Sequence, residues 1–321
     1  MTFRQKAGAW LLTLGLIGGA WAQSGAYPAK PVRFINNFPP GGPSDILARS
    51  MAEAMQNSLK QIFIVENRAG AGGNLGADAV AKSPADGYTV LFGIDTAFTV
   101  NPHIYKSLPF KTGDFKPVII MGSSGLLIGT HPGTGMKTLS DLIAAGKRKT
   151  LNFSSGGNGS PGHLAVEIFM DAAGVKIQHV PYKGNTPAVT AVVAGEVDAG
   201  VLATPGMLPH VKSGRIQPLA VTSRQRSKLA PEVPTVSESG LKDLELEVLY
   251  LVMVPSATPD AVVQVLQQHM KEALLRPDIQ ARLASLDLFH EGLTGDAAAR
   301  RLSELSARYA RIVKSTGMQP E

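Results

Sequence analysis

Between residues 32 and 221, short apolar runs alternate with longer amphipathic segments, and turns rich in glycine or proline separate them. The runs 32–36, 61–65, 88–93, 151–153, 177–180, 197–202 and 219–221 are too short for helices. The segments 44–59, 73–82, 139–147, 163–173 and 187–195 read as helices, several with apolar residues at helical spacing. A strand–helix–strand unit returns to its own sheet as a parallel crossover, with the helix lying on a sheet face. The pattern predicts an α/β fold with mostly parallel sheets flanked by helices. Two further apolar runs, 118–121 and 126–128, flank Gly122-Ser123-Ser124-Gly125, which reads as a turn. A long apolar strand is expected over 246–254, with helices dominating from 259 to 314.

At 321 residues the chain exceeds what one core usually organises, so two lobes are expected. Its beginning is of a different kind. Arg4 and Lys6 precede an apolar run over 8–20 in which only Thr13 is polar, then Ala20-Trp21-Ala22 and Gln23. A charged start, a short apolar stretch and a small-x-small site in this order form a cleavable secretory signal, residues 1–22. The run falls short of the ~20 residues that span a bilayer. No cysteine occurs, which excludes disulfides, thiolate metal sites, cysteine nucleophiles and an N-terminal lipid anchor. An exported, unanchored, disulfide-free chain fits a Gram-negative periplasm. Removal of residues 1–22 leaves 29 basic against 25 acidic residues, a net charge of +4. The basic residues are spread along the chain. That is no nucleic-acid footprint, but a modest positive field suits a small anionic ligand.

Several helices begin with a polar residue or glycine followed by proline: Gly42-Pro43, Ser160-Pro161, Thr186-Pro187, Thr204-Pro205 and Thr258-Pro259. Proline suits the first helical position, where its missing N–H costs nothing. Two of these starts are unusually rich in glycine, Pro39-Pro40-Gly41-Gly42-Pro43-Ser44-Asp45 and the run from Ser154 to His163. Each is a strand, a glycine loop and a helix N-terminus. Such a place offers unpaired backbone N–H groups and the positive end of a helix dipole, and so favours anions. Ser44, Asn158 and Ser160 add side-chain donors, and His163 lies in the first turn after its loop. Asp45, in a first turn, reads as a capping residue.

Enzymatic readings fit poorly. Asn158-Gly159-Ser160-Pro161-Gly162 lacks the first glycine of a nucleophile elbow, and Pro161 has no N–H to serve as an oxyanion donor. In Gly70-Ala71-Gly72-Gly73-Asn74-Leu75-Gly76 the last glycine falls one position late for a dinucleotide fingerprint. The seven histidines show no metal-binding spacing.

A set of segments stands in a characteristic order: Pro40 to Asp45 with Ala48-Arg49, Val65-Glu66-Asn67-Arg68-Ala69-Gly70-Ala71-Gly72-Gly73-Asn74, and Asp86-Gly87-Tyr88-Thr89. Asn101-Pro102, Gly159-Ser160 to His163-Leu164, Val180-Pro181-Tyr182-Lys183-Gly184 and Gly195-Glu196-Val197-Asp198 follow, then Leu219 to Thr222 and Pro231 to Thr235. Taken together and in this order, they resemble the periplasmic solute-binding receptors of tripartite tricarboxylate transporters, the Bug family. The resemblance covers essentially the whole mature chain. It implies a two-lobed, type II-like periplasmic binding protein, with lobe I formed by 23–125 and 249–321 and lobe II by 126–248. It implies a small organic carboxylate ligand, held by Phe38, Gly41, Gly42 and Ser44 from one lobe and Asn158, Ser160 and His163 from the other. Thr96 and Thr204 would flank the pocket. No cofactor, metal or catalysis is implied. The expected partners are the membrane permease subunits of a tripartite transporter, with a sensor-kinase ectodomain as the alternative, and the receptor is expected to be a monomer. A periplasmic enzyme acting on a carboxylate is the rival of another class.

Three stretches depart from the family pattern: Leu249-Tyr250-Leu251 in place of an aromatic pair and glycine, Leu202-Ala203-Thr204 without an acidic step, and a shortened stretch around His131 to Gly135. The missing acidic group argues for a simple carboxylate over one that bears an ammonium group. Mass spectrometry of the exported protein is expected to find Gln23 at the N-terminus; a chain still beginning at Met1 would overturn the cleavage.

Overall fold

The computed structural model describes residues 27–316, so the expected signal segment lies outside the described residues. In chain order the elements are β1 (Val32–Asn36), α1 (Pro43–Leu59), β2 (Phe63–Asn67), α2 (Asn74–Ala81), β3 (Thr89–Ile94) and two one-turn helices, α3 (Thr96–Thr99) and α4 (Asn101–Ile104). Then come β4 (Phe115–Ser124), β5 (Leu126–Thr130), α5 (Leu139–Arg148), β6 (Leu151–Ser155), α6 (Pro161–Ala173), β7 (Ile177–Pro181), α7 (Asn185–Ala194), β8 (Ala199–Ala203), α8 (Thr204–Lys212) and β9 (Gln217–Val221). The described residues close with β10 (Val248–Pro255), α9 (Asp260–Leu274), α10 (Pro277–Ser285), β11 (Phe289–Leu293) and α11 (Gly295–Thr316).

The strands form two sheets, ordered β11-β4-β10-β3-β1-β2 and β7-β6-β8-β5-β9. The two-lobed α/β architecture is as expected, but both sheets are mixed instead of mostly parallel. β1 pairs parallel with β2 and β3, and β6 pairs parallel with β7 and β8, as strand–helix–strand units require. β10 runs antiparallel to β3 and β4, and β5 antiparallel to β8 and β9. These antiparallel strands are next to the points where the chain changes sheet. No crossover helix fixes their direction there.

The expected turn at Gly122-Ser123-Ser124-Gly125 is not a turn. β4 runs through to Ser124 and only Gly125 separates it from β5, which belongs to the other sheet. The glycines there serve close packing. A Cβ on Gly125 would lie 2.5 Å from the Ser223 nitrogen, and one on Gly122 would lie 2.6 Å from the Phe289 carbonyl oxygen. That carbonyl belongs to β11, a short edge strand that the helical reading of the C-terminal third overlooked.

Local chemistry explains the elements. α1 starts on Pro43, buries Leu47, Met51 and Met55 along one face, and ends at Lys60, whose left-handed backbone returns its N–H to the Gln56 carbonyl. In the first sheet Phe34 is fully buried and packs edge-on against Phe63 at 5.2 Å. Each such side chain contributes roughly 2–3 kcal/mol on burial. In the second sheet Phe153 stacks on Phe169, while Leu127, Val192, Leu202 and Met207 form a separate cluster.

Two polar residues tie the crossing segments. The Thr222 N–H donates to the Leu126 carbonyl at 2.9 Å, and its hydroxyl accepts the Leu126 N–H and donates to the Leu246 carbonyl, both at 2.8 Å. Asp95, at the end of β3, accepts the Leu249 N–H at 2.8 Å and the Thr99 hydroxyl at 2.6 Å, and its own N–H donates to the Leu249 carbonyl. From α11, Arg301 pairs with Glu247, and Tyr309 donates to the Glu247 carbonyl.

Thr222→Val keeps the shape but leaves the buried Leu126 N–H and Leu246 carbonyl without these partners. A loss of about 3 kcal/mol in urea unfolding is expected. Asp95 is fully buried, and burial pushes its carboxyl from 3.8 up to about 6, against its hydrogen bonds. The folded state therefore binds this proton more tightly than the unfolded state. This group's contribution to stability falls as pH rises from about 4 to about 6, by about 3 kcal/mol in all. Asp95→Asn is expected to flatten that part of the pH–stability curve, read from urea midpoints.

Candidate functional site

After β1 the chain passes through Asn37 and Phe38 into the turn that opens α1. The Phe38 carbonyl is fixed from two sides, by the side-chain amides of Asn36 at 3.2 Å and Asn67 at 3.1 Å. Gly41 has φ +80°, a left-handed backbone that favours glycine. Its N–H donates to Asp45 at 3.0 Å, and Asp45 also receives the Asn67 amide and the Arg49 guanidinium. Burial alone would raise the Asp45 carboxyl, but the bonds from Arg49, Gly41 and Asn67 hold it below its ordinary value. Asp45 thus shapes the loop and stays ionised. Gly42, the residue before the helix, places no side chain on the first N–H groups of α1.

The second start follows β6. Ser160 caps α6 by accepting the His163 N–H at 3.3 Å. A third start lies beside it: Gly184, with no side-chain cap, opens α7, and the side-chain amide oxygen of Asn185 accepts the Ala203 N–H at 2.8 Å.

These three helix starts meet around one inner cavity of about 130 Å³. Gly42 and Ser44 come from α1, Ser160 and Gly162 from α6, and Asn185 and Thr186 from α7, while Phe38, Leu126 and Tyr250 supply apolar and aromatic wall. Lys183 also lines it, and among the described residues no acidic side chain does. Burial pushes the Tyr250 phenol up to about 12, so it remains a neutral hydroxyl. A second chamber of about 480 Å³ adjoins the first, sharing Phe38, Ser160, Lys183 and Gly184 with it. The loop 70–73 closes its other side.

The expected site residues fall into two sets. Phe38, Gly42, Ser44 and Ser160 line the inner cavity, and Asn158 lines the second chamber. Gly41 stands between two lining residues, with its N–H turned to Asp45. Thr96, His163 and Thr204 are buried and line neither chamber. The Thr96 hydroxyl donates to the Gly72 carbonyl at 3.1 Å, Thr204 begins α8, and His163 turns its ring onto His179. Sequence reasoning missed Leu126, Tyr250 and the start of α7. The signal for the last was present in Gly184-Asn185-Thr186-Pro187, a third glycine-and-proline helix start read as an ordinary one.

One arrangement has the makings of a nucleophile. The Ser155 hydroxyl lies 2.6 Å from His179 Nε2. It is fully buried, lines neither chamber and already accepts the Gly157 N–H, so no substrate carbonyl can reach it.

Comparison with known proteins agrees with this architecture. Residues 47–318 match the model of the tripartite tricarboxylate transporter family receptor. Protein BugT of Bordetella pertussis is 35% identical over 97% of this chain and 96% of its own length. Among solved structures, R. palustris Rpa4515 with adipate is 30% identical, covering 92% of this chain and 100% of that one, with a TM-score of 0.87. MatC from Rhodopseudomonas palustris with bound malate is 25% identical over 89% of this chain and 100% of that one, with a TM-score of 0.82. With its family model matched over most of its length, the chain belongs to the Bug family, the solute-binding receptors of tripartite tricarboxylate transporters.

Proposed function

We propose that this receptor captures a small organic carboxylate in the inner cavity and delivers it to the membrane permease of a tripartite transporter. The carrying observation is the meeting of three helix N-termini, from both sheets, at a cavity lined by a lysine and by no acidic side chain among the described residues. Helix starts supply N–H donors and positive potential, and a carboxylate is the small group that uses both. The cavity is smaller than a drug-sized pocket, which suits a short ligand together with a few waters. Adipate in Rpa4515 and malate in MatC are ligands of this class.

In this reading Phe38, Gly41, Gly42 and Ser44 form one half of the site, and Asn158, Ser160 and the start of α7 form the other. Thr96, His163 and Thr204 support it from behind. Lobe I comprises 23–125 and 249–321, and lobe II comprises 126–248. The chain acts as a monomer in the periplasm after cleavage of its signal peptide, and it releases its ligand chemically unchanged. Docking of the liganded receptor on a sensor-kinase ectodomain is the alternative outcome of a pull-down against both partners.

Calorimetry of the mature protein against malate, adipate and monocarboxylates of matched length tests the reading. Binding of at least one is expected, and failure of the whole panel with a folded sample would sink it. Gly42 has an ordinary extended backbone, and a Cβ there meets only the Pro39 carbonyl oxygen at 3.7 Å. Gly42→Val therefore folds normally but fills the approach to the α1 N–H groups. It is expected to weaken binding by about 10- to 100-fold, the loss of one or two charge-assisted hydrogen bonds.

A further inference from the structure

Two histidines outside both chambers are built into the support of the ligand loop. The imidazoles of His163, on α6, and His179, on β7, stack with centroids 4.3 Å apart and planes 15° apart. Each reaches the loop 156–160. His163 Nδ1 accepts the Gly159 N–H at 3.2 Å. His179 Nε2 lies 2.6 Å from the Ser155 hydroxyl, which in turn accepts the Gly157 N–H at 3.2 Å and the Ser160 hydroxyl at 3.5 Å. Gly157, Gly159 and Ser160 are thus held by two rings from two different elements.

We propose that His163 and His179 are positioning residues: the stacked pair holds the loop 156–160 in its ligand-binding shape, and protonation of the pair lets the loop go. This rests on the reading of that loop as half of a carboxylate site.

The geometry gives the sign. His163 Nδ1 accepts the Gly159 N–H only while it carries no proton; a proton there sets two donors face to face. Two stacked rings this close repel when both are charged. Burial, and next the charge of His163, push His179 down to about 4. The surrounding charges are few. Glu167, one turn along α6, lies 3.7 Å from His163 Nε2, and burial raises its own carboxyl. β6 and β8 carry no charged residue along their lengths, and β7 is flanked by Lys176 and Lys183. Asp171, Asp243, Arg308 and Arg311 gather near Ile168, further along α6. In this arrangement His163 Nδ1 carries no proton, because it accepts the Gly159 N–H, and acid disrupts the pair.

NMR of the ligand-free mature protein, from neutral pH down to about 4, tests this without any ligand. The amide signal of Gly159 is expected to move with the ring signals of His163, and that of Gly157 with those of His179. Ser155→Ala should uncouple Gly157 from the His179 ring. Rings that titrate while these amides stay still would overturn the proposal. So would a Gly157 amide that moves identically in His179→Phe, which keeps the stack but cannot titrate at that position. Calorimetry with adipate and malate at pH 7 and pH 5, in wild type and His179→Phe, supplies the second readout. Because the titration of each ligand is common to both proteins, the comparison isolates the pair. Wild type is expected to lose about tenfold more affinity across this step than the variant, one pK unit of coupling. Equal losses would refute the positioning role alone. Absence of binding to wild type at pH 7 would refute the carboxylate reading instead, and the NMR titration would still decide the pair.

Discussion

Thr222 makes its bonds at the place where the chain crosses between the two sheets, and the geometry of the site depends on that crossing. Its backbone and hydroxyl join the start of β5 to the segment that leads back into β10. β10 then pairs with β4 along its whole length, from Val248 opposite Ser124 to Pro255 opposite Phe115. The outgoing and returning paths are therefore one hydrogen-bonded unit, not two loose linkers. Asp95 fastens β3 to the same unit through Leu249. α1 grows out of β1, beside β3, while α6 and α7 grow out of β6 and β7. A shift at the crossing would move one set of helix starts relative to the other.

Helix starts recognise a carboxylate by its charge and two oxygens and are indifferent to what it is attached to. Selectivity must come from the walls. Here these are Phe38, Leu126, Val201, Leu202 and Tyr250, with Lys183 where the two chambers join. Ala203 ends β8 in the stretch that lacks an acidic step, and it brings no negative charge to the cavity. An ammonium-bearing ligand would find there no carboxylate to pair with, and burying an unpaired charge is costly. On the proposed reading of the site, its walls offer no counter-charge to an ammonium group among the described residues.

How much of this could be read from the sequence follows from the range of the interactions. α1 and α6 were legible because proline placement, apolar spacing and the cap of Ser160 are local. So were Gly42, Ser44 and Ser160, since a strand–glycine–helix start announces itself within ten residues. The mixed sheets were not legible, because the direction of β10 is set by partners more than 120 residues away in β4. The glycines 122 and 125 misled for the same reason: their neighbours, Phe289 and Ser223, are remote in sequence. His163 was read as a ligand-facing residue from its place in the first turn. Its ring direction is decided by His179 on another strand, which no local pattern reveals.

The two halves of the site already touch. Pro39 lies against Gly184, where an added Cβ would come within 3.1 Å of it, and Gly72 lies against Gly159 at a similar distance. Both contacts join a loop of the first sheet to a loop of the second, and at both an added side chain would crowd its neighbour on a backbone whose positive φ already favours glycine. The lining of the inner cavity and of the second chamber is thus drawn together from both sheets. The loops that make the glycine contacts are the ones that carry the helix-start donors, so the spacing of the donors follows from the fit of the two halves. A ligand held between them would gain both from the hydrogen bonds at the helix starts and from any conformational preference for this arrangement. The crossing built on Thr222 and Asp95 fixes the two halves in one register.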